Sequence, residues 1–362
     1  MRNSSKVRAG EWVQVRSKEE ILLTLDENGR SEGLPFMPEM FEFCGKQFRV
    51  LKRAHKTCDP PNGLQGRRML HAVHLDELRC AGEAHGGCQA RCLIFWKEAW
   101  LKRIDDDSEL SVEPLPPHPS LPDTSSKPRR SCTEGDVIAG TRRVPRESSS
   151  DEPFYICQST QISEATQAWQ WWDVRQYLED YRSGNARLSE LLSSFLLFLY
   201  SHLVSSGVGL GAPLRWVYDS IQRMHGGTPY PWRCGEVPRG MKTPKGGLDL
   251  QPGDLVQIRS YQEILGTLTV EGHNRGMVFD AEMVPYCGGT YRVLDRVRTI
   301  INEKTGRMQH LKNDCIVLSG VVCRACYAKH RRFCSRRIYP FWREIWLKRA
   351  EPRASVTTNP KT

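Results

Sequence analysis

Gly10-Glu11-Trp12-Val13-Gln14-Val15-Arg16-Ser17 is answered 243 residues later by Gly253-Asp254-Leu255-Val256-Gln257-Ile258-Arg259-Ser260. The match continues without a gap from Gly10 to Arg53. Phe36, Glu39, Met40, Cys44, Gly45, Arg49, Val50, Leu51 and Arg53 have identical partners at Phe279, Glu282, Met283, Cys287, Gly288, Arg292, Val293, Leu294 and Arg296. After three inserted residues the offset becomes 246. Phe95-Trp96, Glu98 and Trp100-Leu101-Lys102-Arg103 then return as Phe341-Trp342, Glu344 and Trp346-Leu347-Lys348-Arg349. A module at residues 8–104 is therefore duplicated at 251–350. Two copies fall short of the three or more that a solenoid needs, so two domains are expected.

Trp12-Val13-Gln14-Val15-Arg16 and Leu255-Val256-Gln257-Ile258-Arg259 alternate apolar and polar side chains, the mark of a half-buried strand. Phe48-Arg49-Val50-Leu51 and Tyr291-Arg292-Val293-Leu294 read as strands entered through a glycine turn. Val73-His74-Leu75 and Ile316-Val317-Leu318 make a third pair. Short strands separated by turns suggest a small barrel. The Gly-Asp/Glu-x-Val-x-Val/Ile-Arg-Ser opening, the Phe-x-x-Glu-Met that follows, and the later Cys-Gly and Arg-Val resemble small SH3-like barrels of the KOW and Mind-bomb repeat type. The resemblance covers about the first 45 residues of each module and implies an architecture without an activity. The cysteine-rich second half of each module departs from it. The expected fold class is α+β with mostly β modules: two duplicated SH3-like β-barrels with cysteine-rich extensions, separated by a helical insert.

Between the modules, residues 105–162 read as a largely irregular linker. Asp105-Asp106-Asp107, Pro114-Leu115-Pro116-Pro117 and the later prolines and serines cannot bury a core. Residues 163–225 read as the helical insert, and the Gly-, Pro- and Lys-rich 226–250 as a second linker. Within the insert, 191–214 holds no charged side chain apart from His202. Its apolar run, Leu191–Val204, is shorter than a membrane span requires. A packed core helix is the favoured expectation, with peripheral membrane contact through 191–214 as the alternative.

The opening of the chain shows no secretory pattern, which points to a cytoplasmic protein. Thirteen cysteines in that setting suggest reduced thiols or metal ligands. Cys44 and Cys287, each between an aromatic residue and Gly, read as packing residues. Beyond them, Cys80 matches Cys323 and Cys88 matches Cys334. The first module adds Cys58 and Cys92, the second Cys315 and Cys326. Each second half thus offers four thiols, the number a tetrahedral zinc site takes. Cys323-x-x-Cys326 is a chelating half-site; His55, His85 and His330 are reserve ligands. Four thiolates also suit an iron–sulfur cluster, although the spacing is not that of a ferredoxin. Catalysis by Cys88 or Cys58, each near a histidine in sequence, is a further alternative.

The net charge of +10 is concentrated. From Tyr286 to Arg353 there are 16 Lys/Arg against 5 Asp/Glu, leaving the remainder close to neutral. A focused basic surface attracts an acidic macromolecule such as nucleic acid, acidic protein or glycan. Arg331, Arg332, Arg336 and Arg337 are the candidate cations. Trp342 and Trp346 are a candidate stacking platform beside them, with a plug for the barrel core as the favoured reading. No phosphate loop, carboxylate pair, zincin helix or Ser-His-Asp signature appears. The expectation is a metal-stabilised interaction protein whose basic second module binds the acidic partner. A metal- or thiol-dependent enzyme using the first-module cysteines is one alternative, and a membrane-surface scaffold anchored by the central helix is the other.

Overall fold

The computed structural model describes residues 6–63, 65–104, 131–143, 153–206, 209–328 and 331–350. Most of the proline-rich linker, the Ser148-Ser149-Ser150 stretch and His330 lie outside the described residues. The architecture is mixed α+β, and its sheets are antiparallel. Two compact units divide the chain: Met1–His202 with Thr299–His310 and Arg324–Ile338, and Leu203–Arg298 with Leu311–Cys323 and Tyr339–Thr362.

Unit 1 is built from β1 (Trp12–Val15), α1 (Lys18–Leu22), β2 (Gln47–Arg53), β3 (Lys56–Asp59), β4 (Gln65–Arg68), β5 (Ala72–Leu75), β6 (Trp96–Lys97), β7 (Leu101–Arg103), β8 (Gln167–Ala168), α2 (Arg175–Arg182) and most of α3 (Leu188–Ser205). Its main sheet runs β6-β5-β2-β1-β7, and β8-β4-β3 form a smaller one. Val13, Val15, Met40, Val50, Val73, Leu75, Trp96 and Trp100 fill the core. Alternation in β1 and β2 puts these residues on the inner face.

In unit 2, β9 (Leu255–Ile258), β10 (Thr290–Ile301), β11 (Met308–Leu318) and β12 (Leu347–Arg349) lie in the order β11-β10-β9-β12, the far ends of β10 and β11 belonging to unit 1. The registers follow the sequence repeat. Trp12 faces Arg49 and Leu255 faces Arg292; Val13 faces Arg103 and Val256 faces Arg349. Among the described residues neither sheet closes on itself.

Polar contacts repeat as well. Ser17 and Ser260 cap equivalent short helices, each in a capping box with the Glu three residues on. The indole of Trp100 donates to Thr24 Oγ1 at 3.1 Å, and that of Trp346 to Thr267 Oγ1 at 2.9 Å. Ten left-handed backbone positions are also shared. At offset 243 they include Gly45 and Gly288, Glu77 and Gly320, and Gly82 and Ala325. At offset 246 they are Gly87 with Phe333 and Arg91 with Arg337. The backbone of the cysteine-rich halves is therefore duplicated too. The three extra residues of the second copy fall between Ala325 and Phe333, in the loop that carries His85 in the first.

Leu188–Ser205 departs from the favoured expectation. It is a single helix with only 17% of its length buried. Leu192, Phe195, Leu196, Leu199 and Leu203 are all exposed. Nothing in the sequence pattern distinguishes such a helix from a core helix, because both are apolar on most sides.

Trp346 is fully buried in the unit 2 core against Phe279 and Trp342. Replacing it with Ala is expected to cost about 3–5 kcal/mol. A urea titration read by fluorescence and far-UV dichroism checks this; a shift below about 1 kcal/mol contradicts the packing described.

Candidate functional site

The Pro38–Phe43 turn carries Glu39 into unit 1, and the single 3-10 turn Glu83–His85 carries His85. Two left-handed glycines, Gly82 and Gly86, bracket that turn. A Cβ on Gly82 would stand 2.1 Å from the Cys88 carbonyl oxygen, and one on Gly86 would stand 2.4 Å from the Tyr155 hydroxyl. Both positions favour glycine for φ, and Gly82 demands it for space as well, since the atoms it meets are backbone.

The turn brings three donor types together. Cys80 Sγ donates to Glu39 Oε1 at 3.0 Å, and His85 Nδ1 lies 3.5 Å from the same oxygen. The ligand atoms of Glu39, Cys80 and His85 all lie within 4.8 Å of one another, so the group can hold a metal ion. Tetrahedral ligands at bonding distance stand ~3.5 Å apart, which needs only small movements here. His85 Nε2 lies 3.1 Å from the Ile156 carbonyl, an acceptor. Nε2 therefore carries a proton, and Nδ1 faces the Glu39 carboxylate. Both Nδ1 and Glu39 Oε2 are buried without a hydrogen-bond partner. Two such buried polar atoms cost about 1–3 kcal/mol each. A cation between them removes the cost.

Burial works to raise the Glu39 carboxyl, yet the His85 ring and the Cys80 thiol beside it outweigh burial and hold the group below its ordinary value. For Cys80 burial dominates and pushes the thiol far up, with the Glu39 charge adding to it. Burial also raises Cys88 and Cys92, and lifts Cys157 to about 12.

A cavity of about 30 Å³ adjoins the triad, lined by Cys80, His85, Cys88, Cys92, Cys157 and Glu303 among others. This suffices for an ion and a water or two. Ile301 N donates to Cys88 Sγ at 3.3 Å, and Ser159 Oγ to Cys92 Sγ at 3.3 Å. Cys80, Cys88 and Cys92 thus line one cavity. Cys58 does not join them: it is fully buried on β3 and hydrogen-bonded to Cys334. Cys157 takes its place, brought in by the Cys157–Thr160 turn. Both Cys132 and Cys157 could extend the first-module set on sequence alone, and nothing in their spacing separates them; Cys132 lies in the hydrophobic core.

The second-module set is divided. Cys315 is buried in unit 2 with Arg343 Nη1 3.6 Å away, and burial lifts its thiol to about 11. Cys323 also belongs to unit 2, whereas Cys326 and Cys334 belong to unit 1. No disulfide joins the described cysteines.

The basic candidates are engaged internally. Arg336 is buried, and its Nη2 lies 2.8 Å from Glu303 Oε1. Arg337 pairs with Glu77 at 2.9 Å, Arg332 sits 4.3 Å over the Phe198 ring, and Arg331 is buried. Trp342 and Trp346 are wholly buried, so neither ring face is open to a ligand. Of the four, Arg331 and Arg336 are buried, while Arg332 and Arg337 are partly exposed.

No family model matches the chain, and no curated protein is significantly similar to it. The site stands on its own geometry.

Gly82→Ala is expected to drive the loop off the Cys88 carbonyl and to destabilise the protein by about 1–3 kcal/mol. Thermal melting together with metal content reads this out; unchanged values for both contradict the role of the turn.

Proposed function

We propose that this chain is a metal-binding protein whose zinc is held by Glu39, Cys80 and His85. Cys92 or Cys157 supplies the fourth ligand from the adjoining cavity. The observation that carries the reading is the buried His85 Nδ1 facing the Glu39 carboxylate with no hydrogen bond to either Nδ1 or Oε2. A mixed nitrogen, oxygen and sulfur donor set suits zinc. The Ile156 carbonyl behind His85 fixes the ring as outer partners of metal-bound histidines do. Burial holds up the Cys80, Cys88, Cys92 and Cys157 thiols, which works against a thiolate nucleophile and suits ligands that ionise only when metal arrives.

Each module is read as an SH3-like scaffold. The equivalent registers and shared left-handed positions support that reading. Reduced thiols fit a cytoplasmic setting. The role is structural: metal pins the Glu83–His85 turn and the cavity wall.

Anaerobically purified protein is expected to hold zinc. Glu39→Gln, Cys80→Ser and His85→Asn are each expected to remove one equivalent and lower the melting temperature. Elemental analysis giving wild-type metal in all three sinks the proposal. Iron with acid-labile sulfide would instead favour a cluster on Cys80, Cys88, Cys92 and Cys157, which line one cavity.

A second reading rests on the exposed α3. An apolar helix that presents Leu192, Phe195, Leu196, Leu199 and Leu203 outward suits lying in the interface of a bilayer. Exposed Arg182 and Arg187 precede it, and exposed Trp172 and Trp216 flank it. We infer peripheral attachment to an anionic lipid surface. Vesicles containing phosphatidylserine are expected to sediment the protein, and Leu192→Glu with Leu196→Glu to abolish this. Recovery of the wild type wholly in the supernatant ends the reading.

A further inference from the structure

Unit 1 also buries a charged cluster that the metal site does not use. β3 and the residue before it supply Lys56 and His55, and α2 supplies Tyr177 and Asp180 one turn apart. All three charged or polar groups, Lys56, His55 and Asp180, are buried. The Lys56 ammonium Nζ lies 2.5 Å from Asp180 Oδ2, and His55 Nε2 lies 3.0 Å from Oδ1 of the same carboxylate. The backbone on both sides is held in register. Asn185 Nδ2 donates to the Arg53 carbonyl at 2.7 Å, and Arg53 N donates back to Asn185 Oδ1 at 2.8 Å.

The surroundings of the pair are aromatic. Nζ stands 4.6 Å from the centre of the Tyr177 ring and 5.7 Å from that of Phe333, and the Trp169 ring meets His55 edge-on. An ion pair taken this far from water repays its desolvation only when every remaining polar atom is satisfied. Here His55 Nδ1 is buried without a hydrogen-bond partner. Burial draws the Lys56 ammonium below its ordinary range against the pull of Asp180, and the Lys52 charge adds to this. A single proton shift along the 2.5 Å contact therefore turns the charged pair into an amine facing a carboxylic acid.

We propose that Lys56 and Asp180 condense into an intramolecular isopeptide bond, with His55 as the catalytic residue. Nζ, once neutral, attacks Asp180 Cγ. The charge that develops on Oδ1 is met by the His55 Nε2 proton, which already points at that oxygen. The Cγ–Oδ2 bond then breaks. Oδ2 leaves as water with two of the three ammonium protons, and the third stays on the amide nitrogen. Ammonium and carboxylate become amide and water, with no other reactant and no electron moved.

The fold supplies the proximity that the same condensation lacks in water. The product also carries no buried charge where the reactants carried two, which favours the forward direction. The bond ties α2 to β3 across 124 residues of sequence, so the denatured chain keeps a closed loop. It shares no residue with the Glu39–Cys80–His85 group, and loss of metal leaves it in place.

The test is the mass of the intact, denatured and reduced chain. The wild type is expected to be lighter than its sequence by one water. Its tryptic digest should contain one branched peptide that joins the Lys56 and Asp180 segments, with no cleavage after Lys56. Lys56→Arg, which keeps the charge but cannot condense in this way, and Asp180→Ala should both have their full sequence mass. His55→Ala is expected to gain the branched peptide about a hundredfold more slowly after refolding; formation at the wild-type rate removes the histidine from the reaction. The wild-type mass decides by itself, so variants that fail to fold do not shield the proposal. Full sequence mass in the wild type overturns it, as does a missing water that maps to any other residues.

Discussion

Unit 1 is arranged around one buried guanidinium. Arg336 reaches the Cys58 carbonyl with Nη1, and Ser159 Oγ at 2.9 Å and Glu303 with Nη2. Ser159 passes the contact on to Cys92. One cation thereby joins β3, the β10–β11 hairpin tip and the 157–160 turn, and it stands between the cavity thiols and the Cys58–Cys334 pair. Removing one partner from a buried pair of this kind costs about 3–5 kcal/mol, because the other charge is stranded. The residue first suspected of meeting an acidic partner outside is in fact the one that holds the interior together.

The strand frame was legible because a period-2 pattern repeated at a fixed offset leaves little freedom in register. Trp100 and Trp346 were legible as core for the same reason: they repeat with their neighbours. The sites were less legible. Cys80, Cys88 and Cys92 are close in sequence and meet through one turn. Cys157 and Cys334 reach their partners through loops whose path no local pattern encodes. Glu39 stood in plain view as a repeated residue, yet nothing in Phe-x-x-Glu-Met marks its carboxylate as a ligand. Exposure of α3 was hidden too, since a helix apolar on most sides looks alike in a core, at a lipid surface or against a partner.

The duplication kept backbone and exchanged chemistry. Gly82 and Gly87 became Ala325 and Phe333 without loss of the left-handed turns, although glycine would hold them at lower cost. Side chains within the frame then diverged. His85 sits in a four-residue turn in one copy, and Cys326 opens a longer one in the other.

The division of the chain into units has a consequence for how it is made. Residues 299–310 and 324–338 belong to unit 1, although most of the second module precedes or surrounds them. A growing chain that has emerged only to residue 250 lacks Glu303, Cys334 and Arg336, so the Cys58 carbonyl and Ser159 Oγ are without their buried Arg336 partner. The first unit to begin synthesis is therefore not the first that can finish folding. It has to wait, partly open, for segments about 150 residues further on, a separation that slows folding and leaves the chain reliant on protection in the interval.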